Sequence, residues 1–263
     1  MQHRILATLA VCAVASLPAS TFAATVVAPN AQANTLGNGQ DNDTRFFSRT
    51  GDTDGQRYQQ IYDAGQFAVL GTTENITGIA LRAKTGGFFF PGIFGPTVSV
   101  SNINISLSTT QRNSSIDGTN PISNVFADNI GADAKTVYAG ALTVTTPTAG
   151  TTDFGYVITF QTPFAYSKGS GNLLLDVLIP TGATTTESGS NGYNRPDTQT
   201  GDALGATAND GIASAFGATA AGTLGSNSTT GLVTQFTTSA VPEPASLGLI
   251  GGAMLMAVAR RRR

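Results

Sequence analysis

Apolar side chains recur in this chain at every second position, in short runs separated by turn-forming residues. Phe154, Tyr156, Ile158 and Phe160 share one parity, as do Ile79, Leu81 and Ala83, with Ala80, Arg82 and Lys84 opposite them. Period two places alternate side chains on opposite faces of a pleated strand, so each run predicts a strand with one face in a core. The stretch 98–109 adds a constraint. Val98 and Val100 are even, whereas Ile103, Ile105 and Leu107 are odd. A strand cannot change parity without an extra residue, which predicts a bulge or bend near Ser101–Asn102. Such bends occur where a strand passes from one sheet of a sandwich to the other.

The remaining runs extend the pattern. Gln56–Tyr62 reads as a half-exposed strand, 137–146 as another, and Phe164–Lys168 as an edge segment beyond Pro163. Leu173–Ile179 is apolar except for Asp176, as suits a central strand or one covered on both sides. Residues 24–44 read as an extended leader or an edge element, and 231–238 as a last strand. The Gly- and Ala-Thr-rich segment 211–225 is equally compatible with helix and strand. Residues 111–124 are turn-rich, with Asp117-Gly118 and Asn120-Pro121 as breakers, and 181–211 is a Gly/Thr/Asn/Asp-rich loop or flap. With 31 glycines, 11% charged residues, no tryptophan and no repeat or internal linker, the chain is expected to form a single domain. The fold class expected is all-β: one antiparallel β-sandwich, jelly-roll or immunoglobulin-like.

Both ends differ from this body. Residues 1–4 carry an arginine, 5–17 are apolar, and Thr21-Phe22-Ala23 offers small residues for a peptidase. That is the three-part plan of a secretory signal peptide, residues 1–23, cleaved after Ala23. At the other end, Pro242-Glu243-Pro244 precedes the uncharged run Ala245–Ala259 and the cluster Arg260, Arg261, Arg262 and Arg263. Fifteen helical residues span roughly 22 Å, a short transmembrane helix against a hydrocarbon core of about 30 Å. Arginines beyond it belong on the cytoplasmic side, which leaves the body, residues 24–240, outside.

Pro242-Glu243-Pro244, the apolar run and the terminal arginines, in that order over 241–263, resemble a PEP-CTERM sorting signal. The resemblance implies recognition and removal of the tail by an exosortase in a Gram-negative bacterium that builds extracellular polysaccharide. It implies an inner-membrane-anchored precursor, signal peptidase and exosortase as processing partners, and delivery to the cell surface or matrix.

Composition narrows the chemistry. The only histidine, His3, and the only cysteine, Cys12, lie in the signal peptide. A Ser-His-Asp triad, a Cys-His pair or a histidine-held metal therefore cannot occur in the body, and no enzymatic activity is expected. Residues 24–240 hold 9 Lys and Arg against 15 Asp and Glu, a net charge of −6 without a basic cluster, which argues against nucleic acid and against anionic membrane surfaces as partners of the body. Glu74 and Glu187 are the only glutamates in the body, so a glycosidase pair would have to draw on aspartates.

Three features are candidate sites. Asp52 and Asp54, in Asp52-Thr53-Asp54-Gly55 beside Asp41, Asp43 and Asp63, present oxygens on a short arc as calcium requires, while the same residues also favour turns for backbone reasons. Tyr193, among Asn191, Asn194, Arg195 and Asp197, reads as a sugar-contact residue or as a loop anchor. The run Phe88-Phe89-Phe90-Pro91-Gly92-Ile93-Phe94 reads as a core plug or as an exposed patch. The expected function is structural or adhesive, in an exopolysaccharide layer. The alternative is a carbohydrate- or calcium-binding module, and third comes a paired-carboxylate hydrolase.

Overall fold

The computed structural model describes residues 23–39, 46–47, 53–83, 97–145, 151–187, 196–200, 210–220 and 222–241. The patterned runs are extended, and no α-helix occurs among these residues. The first strands are β1 (Ala23–Ala28), β2 (Gln56–Tyr62), β3 (Thr73–Leu81) and β4 (Thr97–Thr110). There follow β5 (Lys135–Thr145), β6 (Tyr156–Ser167), β7 (Asn172–Ile179), β8 (Thr185–Glu187) and β9 (Thr198–Thr200). The last are β10 (Ile212–Gly217), β11 (Ser226–Ser228), β12 (Thr230–Leu232) and β13 (Thr234–Ala240). The chain is thus all-β, and every ladder is antiparallel.

One sheet has the order β1-β13-β3-β6, and a second runs β11-β10-β2-β7-β4-β5 with β8 also paired to β4. β9 and β12 form a separate ribbon. Side chains of both sheets meet in one apolar cluster. Val26, Ile79, Ile158 and Phe236 come from the first sheet, and Tyr62, Ile105, Leu175 and Val177 from the second. Tyr62 bridges the two sheets, its ring edge-on to Phe236 at 4.9 Å and its hydroxyl 2.7 Å from Thr234 Oγ1.

The bulge expected near Ser101–Asn102 is present, since the β4–β5 register shifts between Val100 and Ile103. It does not carry the strand into another sheet. Val98, Val100, Ile103, Ile105 and Leu107 all remain in the same core, and the extra residue is what keeps them there. What changes at the bulge is the neighbour on the other side of β4: β8 pairs with Val98–Val100 and β7 with Asn104–Thr110. β6 runs unbroken through Pro163 as an edge strand, and its ladder with β3 is irregular between Phe164 and Thr159. A residue without an N–H fits at such a break.

β2 is a correction to the sequence expectation: it is buried almost throughout, not half-exposed. It lies between β10 and β7, with Tyr58 and Tyr62 in the main core and Ile61 in a second cluster with Ile122, Phe126 and Leu174. The turn-rich segment 111–130 supplies that second cluster by lying across the outer face of the sheet. It is pinned by the buried amide of Gln59, which donates to Phe126 O at 3.1 Å and accepts from Asn129 Nδ2 at 2.9 Å. Arg57 pairs with Asp176 through two hydrogen bonds, at 3.0 and 2.6 Å, and its guanidinium lies 5.2 Å from the centre of the Phe126 ring. The segment 211–225 resolves in favour of strand, as β10 and the residues leading to β11.

Burial raises the phenol pKa of Tyr58, Tyr62 and Tyr166 well above the ordinary value. The unfolded chain therefore releases these protons near pH 10 while the folded chain holds them. Stability is fully present below pH 10 and falls as pH rises beyond it, by roughly 1 kcal/mol per pH unit for each ring. Denaturant unfolding at pH 9 and pH 11 should show this loss, and Tyr62→Phe should make it shallower.

Candidate functional site

The place where the tail leaves the fold is well defined. β13 is an interior strand, paired on one side with β1 and on the other with β3. Ser239 stands opposite Ala23, and Ala240, the last residue of the strand, stands opposite Glu74. Val241 alone separates the strand from Pro242. The run of paired residues therefore stops where residues without an N–H begin, as proline chemistry requires. Thr73 pairs with Ser167 at the same end of the sheet, and Lys168 Nζ donates there to the carbonyls of Ala68, at 2.8 Å, and Leu70, at 2.6 Å. Between those carbonyls Val69 projects outward, 82% exposed.

The family model that matches the chain begins at this strand end. Residues 240–263 are a PEP-CTERM protein-sorting motif. The motif marks the protein as exported, held as a membrane-anchored precursor and processed by an exosortase. No curated protein matches the chain. Pro242, Glu243, Pro244, the apolar run 245–259 and Arg260–Arg263 lie outside the described residues, as do residues 1–22. Among the described residues no helix is long and apolar enough to cross a membrane.

The other candidates divide. Asp52, Tyr193 and the phenylalanine run 88–94 lie outside the described residues. Asp54 is exposed, and its carbonyl accepts from Ala220 N at 3.1 Å and Thr181 Oγ1 at 3.3 Å. The Thr53 carbonyl accepts from Gly182 N at 2.8 Å, and Gly55 completes the turn at φ +70°, against Ile179 O. The backbone carbonyls of Thr53 and Asp54 are thus hydrogen-bonded within the fold, as a structural turn requires. No group of three acidic residues placed to hold a metal occurs among the described residues. Melting curves in chelator and in millimolar calcium should coincide. A higher melting temperature with calcium would favour the metal reading of Asp52 and Asp54.

Two polar features were not legible in the sequence. Arg82 is fully buried. Its Nε donates to Asp197 Oδ2 at 2.7 Å, its Nη1 to Gln32 O at 2.9 Å and its Nη2 to Thr35 O, while Phe154 lies 5.2 Å from the guanidinium. Asp197 Oδ2 also accepts from Gly37 N, and Oδ1 finds no donor among the described residues. The second feature is an open cleft of about 400 Å³ lined by Thr109, Arg112, Asn120, Asp128, Ile130 and Gly131. Gly131 lies so near Thr109 O that an added Cβ would fall 1.8 Å from it, so only glycine fits there. Arg112 lies 3.5 Å from Asp128 and also donates to Asp128 O at 3.2 Å. Among the described residues, no aromatic ring lines this cleft.

Asp197→Ala would leave the Arg82 guanidinium buried and unpaired, and should destabilise the domain by about 3–5 kcal/mol. Replacing both residues with apolar ones of similar size should cost less than that single change, and denaturant unfolding of the two variants tests it.

Proposed function

We propose that the exported body is a β-sandwich with a structural or adhesive role in the polysaccharide layer at the cell surface. The observation that carries this reading is a sorting motif that begins at the last residue of an interior strand of the domain. The whole folded body is thereby the cargo. Its surface offers uncharged hydrogen-bonding groups suited to hydrated polysaccharide. Ser99 pairs with Thr143 at 2.9 Å and Ser106 with Thr136 at 3.2 Å, along the exposed face of β4 and β5. The edges β5 and β6 are bridged by the carboxamide of Gln161, which accepts from Ala139 N at 3.2 Å and donates to Ala139 O at 3.0 Å. An edge bridged in this way is less open to strand addition from a neighbour, in keeping with a discrete surface domain.

A second reading, a binding module for a defined carbohydrate, draws on the polar cleft around Arg112. Glycan-array binding that Arg112→Ala abolishes would favour the module. Broad, weak co-sedimentation with the polysaccharide, unchanged by that substitution, would favour the structural role.

Sorting has its own test. Prolines at 242 and 244 restrict φ and hold the motif extended for a peptidase to grip. Mass spectrometry should find the surface form without Arg260–Arg263, and Glu243→Ala should leave the tail attached to a protein that is still exported. A mature surface form that keeps all four arginines would overturn the sorting mechanism.

A further inference from the structure

We propose that in the anchored precursor the domain stands on the membrane by one end of its four-stranded sheet, the end where Ala23, Thr73 and Ala240 meet. The proposal rests on the tail being a membrane-anchored sorting motif. Ala240 cannot yield slack, because β13 is laddered from Thr234 to Ala240 against β3 and from Thr234 to Ser239 against β1. Only Val241–Pro244 separates it from the apolar run. Five Cα steps, fully extended, reach at most about 18 Å. The headgroup layer takes up roughly 5–8 Å of that, half the difference between the whole bilayer and its hydrocarbon core.

Ala240 is therefore held within about 10–13 Å of the headgroup surface. The membrane run cannot lengthen the tether. Its 15 residues are already shorter than the hydrocarbon core, so none can be drawn out without exposing the bilayer edge. The surface at that end suits the position. Val69, 82% exposed, and the Lys168 amine beside it offer an apolar contact and a cation to a headgroup layer. The far end, where Leu81 pairs with Tyr156 and Asp153 is exposed, lies a nine-residue strand away, about 27 Å.

Ala23 adds a topological detail. As the partner of Ser239, it brings the chain's incoming end to the same end of the sheet as its outgoing one. An uncleaved N-terminal segment would thus enter the same patch of membrane, and the domain can stand this way before or after that cut.

The test uses the exported chain, cut after Ala23 by signal peptidase and produced in a host without the exosortase, so that the N-terminal segment does not tether the domain and the removed segment takes Cys12 with it. It is reconstituted in phosphatidylcholine–phosphatidylglycerol vesicles that carry a quencher on their headgroups. A fluorophore is placed on Thr73→Cys in one sample and on Asp153→Cys in another. Both positions are exposed, so labelling should leave the fold intact, which circular dichroism checks. The expected result is several-fold stronger quenching at Thr73→Cys. A Gly/Ser linker of about 20 residues between Ala240 and Val241, with a mean span of about 25 Å, should remove the difference. Equal quenching of the two labels without the linker would overturn the proposal, as would a difference that survives the linker. Flotation is read first on the same samples. A chain that does not float with the vesicles refutes the anchor, and the proposal with it, so the two failures are told apart.

Discussion

The buried Arg82–Asp197 pair is the contact on which the arrangement of the chain ends depends. It draws together four segments that share no hydrophobic pattern. The guanidinium holds the carbonyls of Gln32 and Thr35 in the leader, and the carboxylate accepts from Gly37. The backbone of Asp197 bonds Arg82 O and Val233 N, just before β13. Two charges taken out of water contribute little net stability, since desolvation offsets most of their attraction. Their value lies in specificity: a guanidinium with several partners in fixed directions tolerates few alternative placements of the segments around it.

A second constraint comes from the width of the larger sheet. A sheet core formed by one face leaves its central strands open on the other, and β2 and β7 carry apolar residues on both. The strap 111–130 covers that second face without regular structure of its own. It is fixed by side-chain amides, Gln59 to Phe126 O and Asn129 and Asn227 to Ile122 O, and by the guanidinium of Arg57 stacked on Phe126. The same strap forms one wall of the polar cleft through Asn120 and Asp128, so one element both covers the sheet and shapes that cleft.

The strands were legible in the sequence because a pleat imposes period two, and the parity change at Ser101–Asn102 located a bulge to within a residue. The exposure of β2 was misjudged for a definite reason. Gln56, Gln59 and Gln60 look solvated in a pattern of polar and apolar letters, but each is buried with its amide hydrogen-bonded. A satisfied amide and a hydrated one are identical in sequence. The burial of Arg82 is hidden for the same reason: the pattern sets it opposite Ile79 and Leu81, and its partner Asp197 lies 115 residues away in a stretch that reads as loop. The strap has no periodicity to detect. The sorting motif was legible in full because its information is linear: prolines, an apolar length and a cluster of arginines act in order along the chain, whatever the body upstream folds into.

The pairing of β1 with β13 joins the first described strand to the last, with Ala23 against Ser239. Contacts so distant along the chain are slow to form, because a very long loop must close before any of their energy is realised. In an exported chain that emerges from its N-terminus, β1 crosses first and has no partner until nearly everything else has followed. The four-stranded sheet therefore acts as a clock. β3 and β1 lack their common neighbour for the duration of export and gain it only when β13, the strand that leads into the sorting motif, arrives, so completion of the sheet and arrival of its address coincide.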